Sequence, residues 1–398
     1  MTPTSARSHA ARAGAALAAG MGVGRFVYTP ILPLMQARAG LSAAAGAHLA
    51  TANYAGYLVG ALAGTLAPAL VRSRAVLRGS LLLLTASLAA MPLPRSTVPW
   101  VLLRLLAGGA SALVFVVAAA AVLHHLREHP AHLSGWSFGG VGAGIALSGL
   151  LVLALRPVAD WRAAWWAAAA LAGVLTALSW NLRPEDPPAG PARGPAATAG
   201  THRWFGALFV SYFLEGVGYI VAGTFLVAAI GQDSPGWVGS GAWVLVGLAA
   251  VPSAALWARL GRRWSRPGLL LTALVVQAAG IALPAVTGST AAALGSAVLF
   301  GATFLGVSTL ALATGAHLRF PRSVALLTAG YSVGQILGPP AVAPLLRHGY
   351  HQALLLAAAV VVAAAAAAAV LRIGFPHHLG TESTEQVRRP RPAGATGS

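Results

Sequence analysis

Two residues carry charge where charge is costly. Glu215 lies within the apolar run 204–230, and Arg25 within the run 13–35. Glu215 falls about eleven residues into its run, or about 16 Å at a rise of ~1.5 Å per residue, and Arg25 is at similar depth. A charge at the centre of a membrane helix costs about 2.5–3.5 kcal/mol on insertion scales. Such a residue is expected to face a protein interior, a water-filled cavity or a partner. A buried carboxyl can exchange a proton. A buried guanidinium offers a planar fork suited to carboxylate or phosphate. The competing expectation is an ion pair between the two that only locks the structure.

A third charge, Arg104, lies about five residues inside the edge of the run 99–123, close enough to snorkel to the surface. Polar side chains recur near these positions: Tyr28, Asn53, Tyr54, Tyr57, Tyr219, Tyr331 and Gln335. They could line a cavity and hydrogen-bond a substrate, or be satisfied packing residues. The expected binding set is Arg25, Tyr28, Asn53, Tyr54, Arg104, Tyr219 and Gln335, with Glu215 exchanging the proton.

Two other patterns mimic chemistry. Gly135-Trp-Ser137-Phe-Gly139 and Gly330-Tyr-Ser332-Val-Gly334 fit the G-x-S-x-G nucleophile signature. That signature needs a strand–turn–helix elbow with His and acid partners, and both copies sit in apolar, helix-length runs. His124, His125, His129 and His132 cluster between two runs, but Pro130 interrupts them and no H-E-x-x-H pattern occurs. A solvated loop is expected there rather than a metal site, and no cofactor is expected anywhere.

Composition defines the elements that must hold these residues. Of 398 residues, 57% are hydrophobic and only 9% charged, whereas a soluble domain carries about 25% charge. The chain is therefore expected to be a polytopic helical membrane protein. There is no Cys, which removes disulfides and thiolate chemistry. All 26 basic residues are Arg, which removes a P-loop lysine and a Schiff-base lysine. ATP-driven pumping by this chain alone is not expected. The net charge of +18 is scattered over short connections rather than gathered in a stripe, so it argues for membrane orientation and against nucleic acid.

Runs of about 18 or more apolar residues mark membrane spans. Twelve are found: 13–35, 48–71, 76–93, 99–123, 133–155, 161–182, 204–230, 238–260, 267–286, 291–318, 324–346 and 351–373. The stretch 183–203, rich in Pro, Gly and Ala, reads as a flexible linker between two six-helix halves, 1–182 and 204–373. The polar tail 374–398 reads as disordered. Arg7 and Arg12 before an apolar stretch resemble a signal peptide, but the apolar pattern resumes after Arg25 and no small-residue cleavage site follows. With the N-terminus inside, nineteen Arg face the cytoplasm against five outside, which puts both termini in the cytoplasm.

The halves look duplicated. Gly22-Val23-Gly24-Arg25-Phe26-Val27 is echoed by Gly216-Val217-Gly218-Tyr219-Ile220-Val221. Gly135-Trp136-Ser137-Phe138-Gly139 is echoed by Gly330-Tyr331-Ser332-Val333-Gly334, and Arg72 by Arg259. Both halves start from the same side, so the repeats are parallel. The glycines at 20, 22 and 24, and at 216, 218 and 223, allow close helix approach or local unwinding.

Across residues 13–373 the chain resembles a major facilitator superfamily transporter. Gly22-Val-Gly-Arg-Phe-Val-Tyr-Thr-Pro-Ile-Leu-Pro33, with Ala52-Asn-Tyr-Ala-Gly-Tyr-Leu-Val-Gly60 and Glu215-Gly-Val-Gly-Tyr-Ile220, is similar to the bacterial YbfB/YjiJ-type subgroup. The superfamily's loop motif is half kept. Arg72, Arg74 and Arg78 retain the charge without the usual Asp, and Arg259-Leu-Gly261-Arg262-Arg263 has Ala258 in the Asp position. The resemblance assigns Arg72, Arg259, Gly261, Arg262 and Arg263 to a cytoplasmic gate. Arg104 with Gly108 and Gly109 resembles the superfamily's Arg motif. Gly135, Gly139, Gly140 and Gly144 resemble its antiporter motif, although Gly140 stands where Pro is usual.

The expected fold is thus all-α, with twelve transmembrane helices in two pseudo-symmetric six-helix halves. The expected function is secondary transport of a small molecule, anionic if Arg25 binds it, by a monomer in the cytoplasmic membrane. Proton-coupled export is the leading mode. Proton-coupled uptake, or a sensor or scaffold that keeps the fold without transport, are the alternatives.

Overall fold

The computed structural model describes residues 3–126, 129, 131–184 and 201–376. Most of the expected linker (185–200) and of the polar tail (377–398) lies outside the described residues, as do Arg127, Glu128 and the side chain of His132.

Twelve helical rods occupy the positions of the twelve apolar runs. The first is made of α1 (Pro3–Leu17), a π-helical stretch (Ala18–Val23) and α2 (Tyr28–Ala39). The second is α3 (Ala43–Leu66) with the short α4 (Pro68–Val71). Then come α5 (Arg74–Ala90), α6 (Thr97–His125), α7 (Ala131–Leu155) and α8 (Trp161–Ser179). The second half comprises α9 (His202–Asp233), α10 (Gly236–Leu260), α11 (Arg266–Val286), α12 (Thr290–His317), α13 (Ser323–Val342) and α14 (His351–Leu371). Among the described residues nine rods are long and apolar enough to cross a membrane. The other three are α5, which has 17 residues, and α3 and α13, whose apolar runs are diluted by Gly and polar side chains. Both ends of the described chain lie at one end of the bundle, here the proximal end; α2 and α9 lead to the distal end.

Local signals set the helix starts. Ser42, Ser73, Asp160, Ser265 and Ser289 each accept a bond from the backbone amide three residues on, at 3.0–3.3 Å. These short polar side chains satisfy amides that have no intrahelical acceptor. Gly40 ends α2 at φ +68, where a side chain would be strained. Large apolar residues such as Leu66, Leu82, Val98, Val174 and Leu178 stay exposed on the outside of the bundle. That is the surface a lipid-facing protein presents.

The first rod is not a regular helix. Phe26 donates its amide to Met21, five residues back, and Thr29 donates to Phe26 rather than to Arg25. Pro30 accounts for the second of these: it lacks an amide proton, so the Phe26 carbonyl has no donor four residues on and takes the Thr29 amide. The glycines of this rod therefore do accompany unwinding. Their counterparts in α9 do not, because α9 is continuous from His202 to Asp233. The repeat offset of 194 puts Thr224 where Pro30 stands, so the second copy has no helix breaker. Gly216 and Gly218 serve close approach instead: an added Cβ would fall 2.6 Å from the Tyr331 carbonyl oxygen and 2.7 Å from that of Ala357.

The halves meet along two kinds of seam. α7 and α10 touch backbone to backbone: an added Cβ at Gly247 would lie 2.1 Å from the Ala146 nitrogen, and one at Gly142 2.5 Å from that of Val251. The other seam joins the first rod and α3 to α9 and α13, and it carries the polar residues.

Candidate functional site

Arg25 sits at the break in the first rod, 3% exposed, at the seam between the halves. Its Nη2 donates to Oε1 of Gln335 on α13. Gln335 Nε2 in turn donates to the Tyr219 hydroxyl on α9 at 3.1 Å. Tyr219 is the repeat counterpart of Arg25, so the two equivalent positions hold one glutamine between them. Aromatic rings enclose the guanidinium: Tyr57 at 4.2 Å, Tyr54 at 5.0 Å and Phe26 at 5.4 Å from their centroids. Cation–ring attraction offsets part of the cost of burying this charge. Arg25 Nε has no hydrogen-bond partner, and no acid pairs with Arg25 among the described residues.

The seam continues distally. Tyr54 Oη and Thr224 Oγ1 are 2.7 Å apart, and Thr29 Oγ1 donates to the Gly223 carbonyl. Thr29 and Gly223 are again repeat counterparts, as expected for positions beside a pseudo-two-fold axis. At the distal edge, Tyr350 Oη donates to Gln36 at 2.8 Å.

Glu215 is fully buried in the second half, and it is the one buried acid among the described residues. Its polar neighbours are Gln277 on α11 and Tyr331 on α13. Neither carboxylate oxygen makes a hydrogen bond of good geometry to them, and neither does the Gln277 amide. Tyr331 stacks between Tyr212 and Tyr219, at 4.2 and 5.4 Å. This aromatic stack connects the carboxyl's surroundings to those of Arg25. The expectation of an Arg25–Glu215 ion pair is not met.

Arg104 corrects the snorkelling expectation. It is 1% exposed and points into the first half. Its guanidinium donates to the carbonyls of Gly24 (3.3 Å) and Arg25 (3.1 Å), freed by the break in the first rod. It lies over the Tyr28 ring at 4.8 Å. Tyr28 donates to the Gly46 carbonyl at 2.8 Å, and Asn53 Nδ2 donates to the Arg104 carbonyl at 3.0 Å. Arg104, Tyr28 and Asn53 therefore form a cluster inside the first half. Arg25, Tyr54, Tyr219 and Gln335 come together at the seam. Tyr57 completes the surroundings of Arg25, and Gln277 those of Glu215. Tyr57 was among the polar residues of its run, but nothing singled it out. Gln277 is the sole amide in its apolar run, and that isolation is the signal that could have found it.

The resemblance-based gate residues lie far from this centre, at the proximal end. Arg72 caps α4 and is half-buried, Gly261 caps α10, and Arg259, Arg262 and Arg263 are exposed. Arg78 is engaged differently: its Nε donates to the Trp180 carbonyl at 3.1 Å while its guanidinium covers the Trp180 ring at 4.7 Å. The two G-x-S-x-G segments lie inside the continuous helices α7 and α13. Ser137 donates to the carbonyls of Ala10 and Leu133, at 3.2 and 3.0 Å, so it presents no elbow. His125 meets the Pro184 carbonyl at 3.0 Å and packs edge-on against His9 and His124.

Twelve helical rods in two parallel halves, with charge buried on the seam, define the major facilitator fold. Solved structures agree. The chain superposes on the nucleoside transporter NupG (a point mutant) with a TM-score of 0.70 at 13% identity, covering 92% of this chain and 100% of that one. It superposes on a bacterial homologue of the human lysosomal transporter Spinster, in an inward-facing and unoccupied conformation, with a TM-score of 0.68 at 15% identity. That match covers 93% of this chain and 97% of the other. No curated protein matches the sequence. The family described as "Uncharacterised MFS-type transporter YbfB" matches residues 17–369. The chain belongs to that family: it is a multi-pass membrane transporter of the major facilitator superfamily.

Proposed function

We propose that this protein exports a small carboxylate-bearing or otherwise anionic molecule across the cytoplasmic membrane in exchange for protons. It acts as a monomer with both termini in the cytoplasm. Its halves rock about the seam, exposing the Arg25 surroundings to one side and then the other.

The observation that carries this reading is Arg25: a buried guanidinium at the seam, held by a neutral glutamine and aromatic rings, with no acid beside it. A buried cation without a counter-charge is costly, and an anionic substrate supplies one. Gln335 and Tyr219 are neutral groups that an incoming carboxylate can displace. Substrate contact is assigned to Arg25, Tyr54, Tyr57, Tyr219 and Gln335, with Tyr28, Asn53 and Arg104 supporting them from behind. Glu215 is the proton carrier. It has no cationic partner, and the tyrosine stack links it to the binding residues. Arg72, Arg259, Gly261, Arg262 and Arg263 gate the cytoplasmic end. Uptake by symport uses the same residues and the same inward proton gradient, with substrate and proton carried together rather than in alternation.

The test is a substrate screen in proteoliposomes with an internal pH dye. Anions should drive proton movement, and Arg25→Gln should weaken the responding anion at least ~10-fold, equivalent to ~1.4 kcal/mol. Unchanged affinity in a folded Arg25→Gln protein removes Arg25 from the substrate site. A response to cations alone overturns the anion assignment.

A further inference from the structure

A second concentration of positive charge lies distal to Arg25, along α2. A cavity of about 190 Å³ opens there between the halves. The first half contributes Ala37 and Arg38 at the end of α2, and Arg156 just after α7. The second half contributes Val227 of α9, and Gly236 and Ser240 from the first turns of α10.

Arg156 lies directly against the start of α10. A Cβ added at Gly236 would fall 2.2 Å from both terminal nitrogens of Arg156. A cation is poorly placed there. The first amides of a helix point outward unsatisfied, and that helix end carries partial positive charge. Arg38 adds a second guanidinium, held by one bond to the Ala159 carbonyl at 3.0 Å. No acid lines the cavity. The two nearby in sequence are engaged elsewhere: Asp160 is 3.9 Å from Arg162, and Asp233 is 2.8 Å from His351. Among the described residues Arg156 has no hydrogen-bonding or ionic partner. Three positive groups from the two halves thus converge on one concavity that no acid lines.

We infer that this cavity is an oxyanion site, taking a carboxylate or phosphate group between Arg38, Arg156 and the N-terminus of α10. The bound oxyanion touches both halves, so it fastens the distal seam shut. An anion leaving Arg25 along α2 would meet this site next; that second role rests on the proposed anionic substrate, whereas the site itself does not. The oxyanion comes either from the aqueous phase or from the headgroup of an anionic lipid, and the experiment separates the two.

The natural chain has no Cys, so Ala37→Cys gives a single reporter on the cavity wall. The full-length variant is placed in nanodiscs of phosphatidylcholine alone, and its rate of labelling by a charged maleimide is followed. Millimolar phosphate or malonate should slow labelling at least threefold, saturably, relative to chloride at matched ionic strength. Adding Arg38→Gln and Arg156→Gln should abolish the protection, whereas adding Arg25→Gln should leave it intact. Protection that vanishes with Arg25→Gln and survives the double change would place the anion at the centre and overturn the inference. Slow labelling in phosphatidylglycerol nanodiscs, relieved by the double change, identifies the lipid headgroup as the oxyanion and supports the site. Equal labelling under all these conditions overturns it. Gel filtration and tryptophan emission matching those of the Ala37→Cys protein show that each added variant is folded.

Discussion

Arg25 and Glu215, both buried at mid-bundle depth, do not pair with each other. Arg25 reaches Gln335 on α13, while Glu215 faces Gln277 on α11, and Tyr219 and Tyr331 stand between their surroundings. Separation leaves each free for its own ligand. A direct ion pair would neutralise both and leave little for an anion or a proton to do.

Proton coupling should therefore fail separately from binding. Glu215→Gln is expected to abolish gradient-driven transport in proteoliposomes while leaving substrate-for-substrate exchange measurable. Full proton-driven flux in this variant would exclude Glu215 as the carrier. Gln277→Leu, which removes the neighbouring amide, should reduce driven flux more than exchange.

Arg104 should behave as a strut. It makes two charge-assisted bonds to carbonyls of the broken first rod. Such bonds are worth about 1.5–3 kcal/mol each, and Lys cannot span both carbonyls with one fork. Arg104→Lys is expected to lower the thermal midpoint of the purified protein by several degrees and to weaken substrate binding indirectly. If stability is unchanged, the carbonyls of Gly24 and Arg25 do not depend on Arg104.

Packing between α3 and α6 predicts a size-limited position. A Cβ at Gly108 would lie 1.9 Å from the Asn53 carbonyl oxygen, whereas Gly79 has nothing within 4 Å. Gly108→Ala should destabilise by about 1–3 kcal/mol, the usual cost of overpacking. Gly79→Ala should be neutral or slightly stabilising, because Ala is the better helix former. Thermal unfolding of both variants in one detergent decides the matter; equal midpoints would contradict the close α3–α6 contact.

Sidedness has a direct check. Reporter domains fused at Ser398 and inserted beside Asp233 should report opposite faces of the membrane, with Ser398 cytoplasmic. The same face at both sites would refute the alternation of rods.

Much of this architecture is legible in the chain because the bilayer imposes a length. Runs of about twenty apolar residues leave few other readings, and the ends of α6, α10 and α11 fall within two residues of the expected edges. The interior of the first rod was less legible. Its glycines fit both packing and unwinding, and Pro30 shapes only the turn at Phe26. For Arg104, depth along its own run is a poor guide. Its direction was set instead by two carbonyls on another rod, which no one-dimensional count reveals. A lone amide in an apolar run such as Gln277 carries no motif; its meaning comes from facing Glu215.

The glycine-lined contact between α7 and α10 has a mechanical consequence. At Gly142 and Gly247 the nearest groups across the contact are backbone atoms, so at those two points the helices touch backbone to backbone. Such a contact resists bulk but offers little resistance to sliding. A saturation scan along it should rank substitutions by side-chain volume and hardly at all by polarity. The joint would act like a bearing whose clearance is set by a single hydrogen atom at each glycine.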